Sequence, residues 1–349
     1  MIKKICVIGG GITGIISAIS LAEKGHKVTL YEKNLLLQQT SSKTTKLIHG
    51  GIRYLENFQI KEVKNGLDDR FWWMQNYPNF AKYVEIVIPI QNIFEFVKYF
   101  LGIKIYEILA GKKKFMKGKV YFKRNLKEFN LSKKFSFGLS FFDGSMNDKD
   151  ISIELIKLAK KLDIEIHENY EVKKIETDGF VENIKFDNVI LCAGPWTQNI
   201  LLNNDIESKK DIDYIKGSHL IVNRSITRGF MIKADCMSRY IFALPYNKKM
   251  LVGTTEIRND SPEPSKISEM EIKYLIKSIN NYFKETISED DIMDSYSGVR
   301  PLIKSNKENF HGSSRDYFIQ KNNKLFSVFG GKWTTAPSIA RDIDRMVFK

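Results

Sequence analysis

Short apolar runs alternate with amphipathic segments along most of this chain, the pattern of buried strands layered with helices. Residues 5–8 form the first run, residues 15–24 carry apolar positions at helical spacing up to Gly25, and residues 28–31 form a second run. The spacing predicts strand, helix, strand, with the turn Gly9-Gly10-Gly11-Ile12-Thr13-Gly14 leading into the helix. Residues 68–78, with Phe71, Trp72, Trp73 and Met74, read as the end of a helix packed on the core. A strand is expected over 84–90, helical or interfacial apolar segments over 93–109, a turn at Phe142-Asp143-Gly144 and an amphipathic helix over 151–162. Strands follow at 164–166, 172–175 and 189–192, the last running into Ala193-Gly194-Pro195-Trp196. Strands over 219–222, 240–244 and 250–253 with a helix over 268–283 mark a second sheet-based region, and 336–346 read as a final helix.

The chemistry begins at the glycine turn. A GxGxxG turn after a strand and before a helix, with Glu32 18 residues beyond Gly14, is the arrangement that cradles a dinucleotide. The helix start faces the pyrophosphate and the carboxylate accepts from ribose hydroxyls. Residues 41–56 read SSKTTKLIHGGIRYLE, a density of hydroxyls, glycines and cations that no regular element needs. Its glycine pair permits close backbone approach, and Lys43, Lys46 and Arg53 are donors for phosphate or carboxylate. Coming soon after a dinucleotide turn, the block points first to the phosphate and isoalloxazine of a flavin. Three later segments carry charge toward the same place: Lys216-Gly217-Ser218-His219, Gly298-Val299-Arg300-Pro301-Leu302 and Gly330-Gly331-Lys332-Trp333-Thr334-Thr335. The last, a Gly-Gly turn at a helix start, is a second anion site, suited to the pyrimidine edge of a reduced flavin.

Composition narrows the class. At 349 residues the chain has the length of about two domains, and 43% hydrophobic with 28% charged residues is the balance of an ordinary soluble globular protein. No run of about 18 apolar residues reads as a spanning helix. The opening MIKKICVIGGG enters a strand directly, so no cleavable leader is expected ahead of it. Cys6, Cys192 and Cys236 are odd in number and lack metal-ligand spacing, which reads as reduced core thiols in a cytoplasmic protein with no metal.

The net charge of +14 is concentrated. Residues 98–134, bounded by Lys98 and Lys134, hold twelve Lys/Arg against Glu107 and Glu128, interleaved with Tyr99, Phe100, Leu101, Tyr106, Phe115 and Phe122. Two readings stay open: a surface for an anionic membrane, peripheral on the inner face of the cytoplasmic membrane, or a lysine-rich solvated face. No nucleic-acid motif accompanies the charge, so nucleic acid is not an expected partner.

The blocks GGGITG, SSKTTKLIHGGIRYLE, FFDGSMND, ILCAGPWT, KGSH, LVGTTE, SGVRPL and GGKWTT make nearly the whole chain similar to the FAD-dependent glycerol-3-phosphate dehydrogenases and oxidases, within the D-amino-acid-oxidase-type flavoproteins. HGGIRYLE and GGKWTT are specific to that group, whereas GGGITG is common to many flavoproteins. The resemblance implies a fold of α/β and α+β character. A Rossmann-like FAD-binding domain would be assembled from residues 1–75, 145–205 and 296–349, with an interleaved mixed-β-sheet substrate domain from 76–144 and 206–295. Members of the group typically continue past the GGKWTT helix into a helical domain, whereas this sequence stops at Lys349.

Carried over position by position, the resemblance makes Gly9, Gly11, Ile12, Thr13, Gly14, Glu32 and Lys33 contacts of FAD. It adds Ser41, Ser42, Lys46, Leu47, His49, Gly50 and Gly51 from the central block, and Val172, Ala193, Gly194 and Trp196 from the middle of the chain. Gly331, Lys332, Trp333 and Thr334 complete the cofactor set. Arg53, Tyr54, His219, Arg300, Lys332 and Arg315 would form the catalytic pocket. The implied reaction oxidises sn-glycerol 3-phosphate, or a close phosphorylated polyol, to dihydroxyacetone phosphate by hydride transfer to flavin N5, with quinone or oxygen as electron acceptor. In it the arginines hold the phosphate, His219 takes the hydroxyl proton, Tyr54 orients the hydroxyl and Lys332 offsets charge at flavin N1 and O2. Two alternatives remain: a flavoenzyme of the same fold acting on an amino acid or 2-hydroxy acid, and a flavin-binding subunit without turnover.

Overall fold

The computed structural model of the chain describes residues 1–111, 116–234, 239–263, 265–304 and 317–348. In chain order they form β1 (Lys4–Ile8), α1 (Ile12–Glu23), β2 (Lys27–Tyr31), β3 (Leu47–Ile48), α2 (Ile60–Asn76), β4 (Ala81–Ile90), α3 (Ile93–Ala110), β5 (Val120–Phe122) and α4 (Lys123–Glu128). There follow β6 (Phe137–Met146), α5 (Asp148–Lys161), β7 (Glu165–His167), β8 (Phe180–Val181), β9 (Ile184–Lys185), β10 (Asn188–Leu191), α6 (Thr197–Leu202), β11 (Ile212–Val222), β12 (Gly229–Ala234), β13 (Arg239–Tyr246) and β14 (Lys249–Gly253). The chain ends with β15 (Ile257–Asn259), α7 (Glu269–Asn280), β16 (Ile292–Ile303), β17 (Tyr317–Asn322), β18 (Leu325–Gly330) and α8 (Ala336–Phe348).

The apolar runs that read as buried strands make a six-stranded sheet in the order β17-β18-β10-β1-β2-β7. Its pairings are parallel except for the edge pair β17–β18. Parallel neighbours demand crossovers that cover the faces. On one face Ile15 and Ile19 of α1, Leu155 of α5 and Ile339 and Ile343 of α8 close a core over Val7, Leu30 and Ile190. On the other, Cys6, Tyr31, Val189, Leu191, Leu201 and Phe329 form a second cluster.

The larger sheet runs β15-β11-β14-β13-β12-β4-β6-β3, with β16 beside β11 and β5 beside β6. Its residues alternate between two cores, as the period of a strand requires. Val87, Ile232, Ile241 and Val252 meet Leu275 and Ile279 of α7. Ile86, Ile88, Met231, Tyr240 and Leu251 meet Ile103 and Tyr106 of α3. The strands of the smaller sheet fall within 1–75, 145–205 and 296–349, but β3 and most of β16, inside those ranges, pair in the larger sheet.

Two local expectations are corrected. Phe142-Asp143-Gly144 is not a turn but lies inside β6, paired with Glu85, Val84 and Tyr83 of β4. Asp-Gly is turn chemistry locally, yet the glycine is used here to let β3 approach: a Cβ on Gly144 would stand 2.9 Å from the Ile48 carbonyl oxygen. Residues 172–175 are not a strand, apart from one bridge between Ile175 and Val181. Side chains satisfy this backbone instead, the Lys173 amide donating to Glu182 Oε1 at 2.7 Å and the Ile175 amide to Asn204 Oδ1 at 2.9 Å. Cys6 and Cys192 are buried free thiols, and Cys236 lies outside the described residues. Burial pushes the Cys192 thiol up to about 12 and Cys6 higher still, so both stay protonated.

Candidate functional site

The glycine turn is set by close backbone packing. Gly9 has φ +102° and a Cβ there would lie 2.5 Å from the Cys192 carbonyl oxygen, while one on Gly14 would lie 1.8 Å from the Gly9 oxygen. The first and third glycines are therefore forced by the packing of α1 on β1 and β10. Gly11 caps α1 without a side chain and no acid occupies its first turn, leaving a helix start suited to an anion. Ser41 Oγ accepts the Ile12 amide at 2.9 Å, which ties the central block to this turn. Glu32 ends β2 with Oε2 accepting the Gly10 amide at 2.7 Å and Oε1 the Asn34 amide at 2.9 Å. Two carboxylate oxygens have about four acceptor sites, so capacity for ribose hydroxyls remains.

These features fit the diphosphate and ribose of FAD: a glycine turn packed closely on β10, a helix start with no acid in its first turn and a fixed carboxylate. Thr13 sits in the first turn of α1. Lys33 points to solvent and pairs with Glu171 at 2.8 Å. Val172 is buried in the same cluster as Tyr31, and Ala193 and Gly194, the latter with φ +55°, form the bend after β10. Trp196 is half-buried and donates its Nε1 to Glu263 Oε1 at 2.8 Å.

The central block runs between the two sheets. Ser42 Oγ donates to backbone oxygens of Gln38 and Gln39. Lys46, in a left-handed conformation with φ +59°, places its buried Nζ 2.5 Å from Asp148 Oδ2 and 5.1 Å from the centre of the Tyr296 ring. Burial pulls the Lys46 ammonium pKa down while Asp148 pulls it up, and burial prevails. Leu47 begins β3, His49 lies edge-on to Tyr54, and the Gly50 amide donates to Asp143 Oδ1 at 3.1 Å. Gly51, at φ +81°, opens a 3-10 turn over Ile52–Asn57 that carries Arg53 and Tyr54. Arg53 lies 5.3 Å over the Tyr240 ring, and Tyr54 OH accepts from Lys332 Nζ at 3.1 Å.

His219 and Arg300 meet on β11 and β16. Gly217 and His219 share one face of β11, and Arg300 pairs with Ile215 across the ladder. The guanidinium lies over Gly217, where a Cβ would be 2.1 Å from Nη2. Thr254 Oγ1 accepts from Nη2 at 2.6 Å and Glu256 Oε1 from Nη1 at 3.1 Å. The His219 ring is 1% exposed, stacked 4.8 Å from Tyr296, with Nε2 2.9 Å from Thr45 Oγ1. Its Nδ1 has no hydrogen-bond partner among the described residues. Burial first, then the charges of Arg300 and Lys46, hold its pKa well below the usual 6.5, so the imidazole is neutral.

Gly331 and Lys332 open the last turn, whose Thr335 Oγ1 accepts the Lys332 amide at 2.9 Å. Trp333 is buried: it packs on Trp73 and donates Nε1 to the Ser41 carbonyl oxygen at 2.8 Å. The Thr334 carbonyl accepts from Trp73 Nε1 at 3.1 Å. Arg315 lies outside the described residues.

Several supporting residues escaped the sequence reading. Asp143, Arg70 and Tyr106 form a buried cluster beneath Gly50, with Arg70 Nη1 and Tyr106 OH each 2.7 Å from Asp143 Oδ1. Glu271 gathers Lys216 Nζ, Ser218 Oγ and Thr255 Oγ1, each 2.7 Å away, behind the strand that carries His219. Burial pushes the Glu271 carboxyl up, but these bonds and the Ser268 amide outweigh it and hold it at about 2. Thr45, Thr254 and Glu256 stood inside quoted blocks and could have been read as polar partners of the neighbouring cations. The Arg70–Asp143 pair, 73 positions apart, leaves no such signal.

The sequence model of the family described as FAD dependent oxidoreductase matches residues 4–346. A Pseudomonas tolaasii protein named glycerol-3-phosphate dehydrogenase is 31% identical, over 96% of this chain and 69% of its own length. A Brucella abortus protein named D-erythritol 1-phosphate dehydrogenase is 32% identical, over 96% of this chain and 71% of its own. The crystal structure of a glycerol-3-phosphate dehydrogenase from Bacillus halodurans, complexed with FAD, superposes with a TM-score of 0.76 at 22% identity, over 99% of this chain and 64% of that one. The chain thus spans about two thirds of the length of these relatives.

Proposed function

The chain belongs to the FAD dependent oxidoreductase family, and on that premise we propose that it oxidises sn-glycerol 3-phosphate, or a close phosphorylated polyol, at a secondary hydroxyl. With glycerol 3-phosphate the product is dihydroxyacetone phosphate. The observation that carries the reading is the guanidinium of Arg300 occupying the space left by Gly217 beside the buried, neutral His219. The names of the relatives, both dehydrogenases of phosphorylated polyols, support it.

FAD would be held by the Gly9–Gly14 turn, Glu32, Ser41, Ser42 and the Lys332 turn, and when bound it supplies the acceptor for the hydride leaving the carbinol carbon. Arg300, with Arg53, holds the phosphate through planar forks of donors. With Nε2–H donating to Thr45, the His219 lone pair is on Nδ1, and that atom takes the hydroxyl proton. Tyr54, fixed by Lys332, orients the hydroxyl, and the Lys332 ammonium keeps positive charge at the turn. The terminal acceptor is quinone or oxygen. The described part of residues 98–134 is the surface through which the protein meets an anionic membrane, and the two sheets correspond to a cofactor domain and a substrate domain.

The test is anaerobic mixing of the FAD-loaded protein with sn-glycerol 3-phosphate, erythritol phosphate, glycine or 2-hydroxyglutarate while flavin absorbance is followed. Bleaching by a phosphorylated polyol alone is the expected result. Bleaching by glycine or 2-hydroxyglutarate instead would transfer the anion role of Arg300 to a carboxylate and overturn the substrate assignment.

A further inference from the structure

One buried carboxylate lies behind both halves of the site. Side chains alternate along β11, so Gly217 and His219 share one face while Lys216 and Ser218 turn to the other, where α7 packs. Lys216, whose segment was expected to bring charge to the site, is therefore directed away from it. There it meets Glu271, the third residue of α7 and 2% exposed.

The two oxygens of Glu271 serve different neighbours. Oε2 takes Lys216 Nζ at 2.7 Å, the Ser268 amide at 2.9 Å and Ser268 Oγ at 3.0 Å, an ion pair and the cap of the helix. Oε1 takes Ser218 Oγ and Thr255 Oγ1, each at 2.7 Å. Both of these are chain neighbours of site residues. Ser218 stands between His219 and Gly217, the residue that makes room for Arg300. Thr255 stands between Thr254 and Glu256, whose side chains accept from Nη2 and Nη1 of Arg300.

Ser218 and Thr255 are also tied to each other, the Ser218 amide donating to Thr255 Oγ1 at 2.9 Å and the Thr255 amide to the Ser218 oxygen at 3.2 Å. The strand that carries Arg300 joins through Ser297, whose Oγ lies 2.8 Å from Ser218 Oγ across the β11–β16 ladder. An ionised carboxylate only accepts, so it sets the direction of every hydroxyl here: Ser218 and Thr255 donate to Oε1, and Ser297 donates to Ser218. All three hydroxyl residues are buried, where such a network is held in one arrangement.

On the phosphate role of Arg300 and the proton-accepting role of His219, we propose that Glu271 is a positioning residue: through Oε1 it locks β11, residues 254–256 and β16 together, and so sets where the His219 ring and the Arg300 guanidinium stand relative to each other. It acts through Ser218 and Thr255. Relative placement matters because the phosphate and the reacting hydroxyl belong to one small molecule, and a misplacement of about 1 Å can cost about a hundredfold in rate.

The separate duties of the two oxygens supply the test, made on the FAD-loaded protein by steady-state kinetics with sn-glycerol 3-phosphate and by denaturant unfolding, with FAD content checked in each variant. On the Oε1 side, Thr255→Val removes a hydroxyl at nearly constant volume and should raise KM about tenfold, through the partners of Arg300, with kcat changing less. Ser218→Ala should lower kcat about tenfold, through His219, with KM changing less. Thr255→Ser, which keeps the hydroxyl, should restore KM. On the Oε2 side, Lys216→Met should lower the unfolding midpoint at least as far as Thr255→Val yet leave KM and kcat within about twofold of wild type. Kinetic losses that track lost stability in every variant, Lys216→Met included, would make Glu271 a structural hub and overturn the proposal. A Thr255→Ser variant as impaired as Thr255→Val would overturn it too, and that pair decides the matter if Lys216→Met does not fold. Arg300→Ala and His219→Gln are run alongside. If they leave KM and kcat unchanged, the reading of the site falls and the positioning role with it; if they act while Thr255→Val and Ser218→Ala do not, the positioning role alone falls.

Discussion

The most telling residue of the site has no side chain. Gly217 exists on β11 so that Arg300 can lie against the strand, since a methyl there would stand 2.1 Å from Nη2. Gly217→Ala should therefore act like a lesion of Arg300: KM for a phosphorylated substrate rising with FAD content unchanged. Arg300→Ala should raise that KM by about tenfold to a hundredfold, the worth of a charge-assisted bond. An unaltered KM in both variants would remove Arg300 from the phosphate. His219 adds a dependence on pH. Its pKa is held below 6.5 by burial and by Arg300 and Lys46, and only the neutral ring accepts a proton. The acidic limb of kcat/KM should thus lie below pH 6.5, and Arg300→Ala, by removing a nearby positive charge, should move it upward. A limb that stays in place in that variant would mean that the titrating group is not His219. These residues were legible because each sits in a short block whose chemistry is local. The burial of His26, whose Nδ1 accepts the Lys3 amide at 3.1 Å, was not, because that contact lies 23 positions away.

At the scale of elements, the Gly50–Gly51 turn is held by three elements that converge on one carboxylate. Asp143 of β6 receives Arg70 of α2, Tyr106 of α3 and the Gly50 amide, all buried. Burial pushes the Asp143 carboxyl pKa upward, and Arg70, Tyr106 and the Gly50 amide pull against it in favour of the charged form. Removing one partner leaves the other charge uncompensated, so Asp143→Asn should cost about 3–5 kcal/mol of stability. Tyr106→Phe, which deletes one bond, should cost about 1 kcal/mol. Denaturant unfolding would measure both, and equal losses would mean that the cluster is not an ion pair at its centre. The helix and strand positions flanking the cluster were readable from periodicity. The cluster was not, because Asp-Gly means a turn until β3 and β4 are known to pair with β6. The same holds for the long pairing of β11 with β16, which no local pattern announces.

In the whole molecule the segment between β2 and β3 belongs to both sheets at once. Ser41 bonds the start of α1 and accepts from Trp333, on the side of the smaller sheet. Within a few residues on either side, Thr40 Oγ1 donates to the Val299 oxygen, Thr44 O accepts from Tyr296 OH, and Thr45 meets His219, all on the larger sheet. A Cβ on Gly298 would stand 2.6 Å from the Lys43 Cβ, so β16 passes directly against the segment. FAD, bound along the glycine turn and this segment, would touch groups anchored in both sheets and stabilise their junction rather than one domain. Ligand that binds only the folded state raises stability by about 2.7 kcal/mol at a hundredfold excess over Kd. Protein stripped of FAD should therefore melt at a lower temperature in one cooperative transition, and regain the loss on adding FAD. Gly14→Ala should melt near the stripped value with or without FAD, because its Cβ strikes the Gly9 carbonyl oxygen and distorts the cradle. If stripping FAD instead split melting into two transitions with only one responding to FAD, the segment would not couple the sheets.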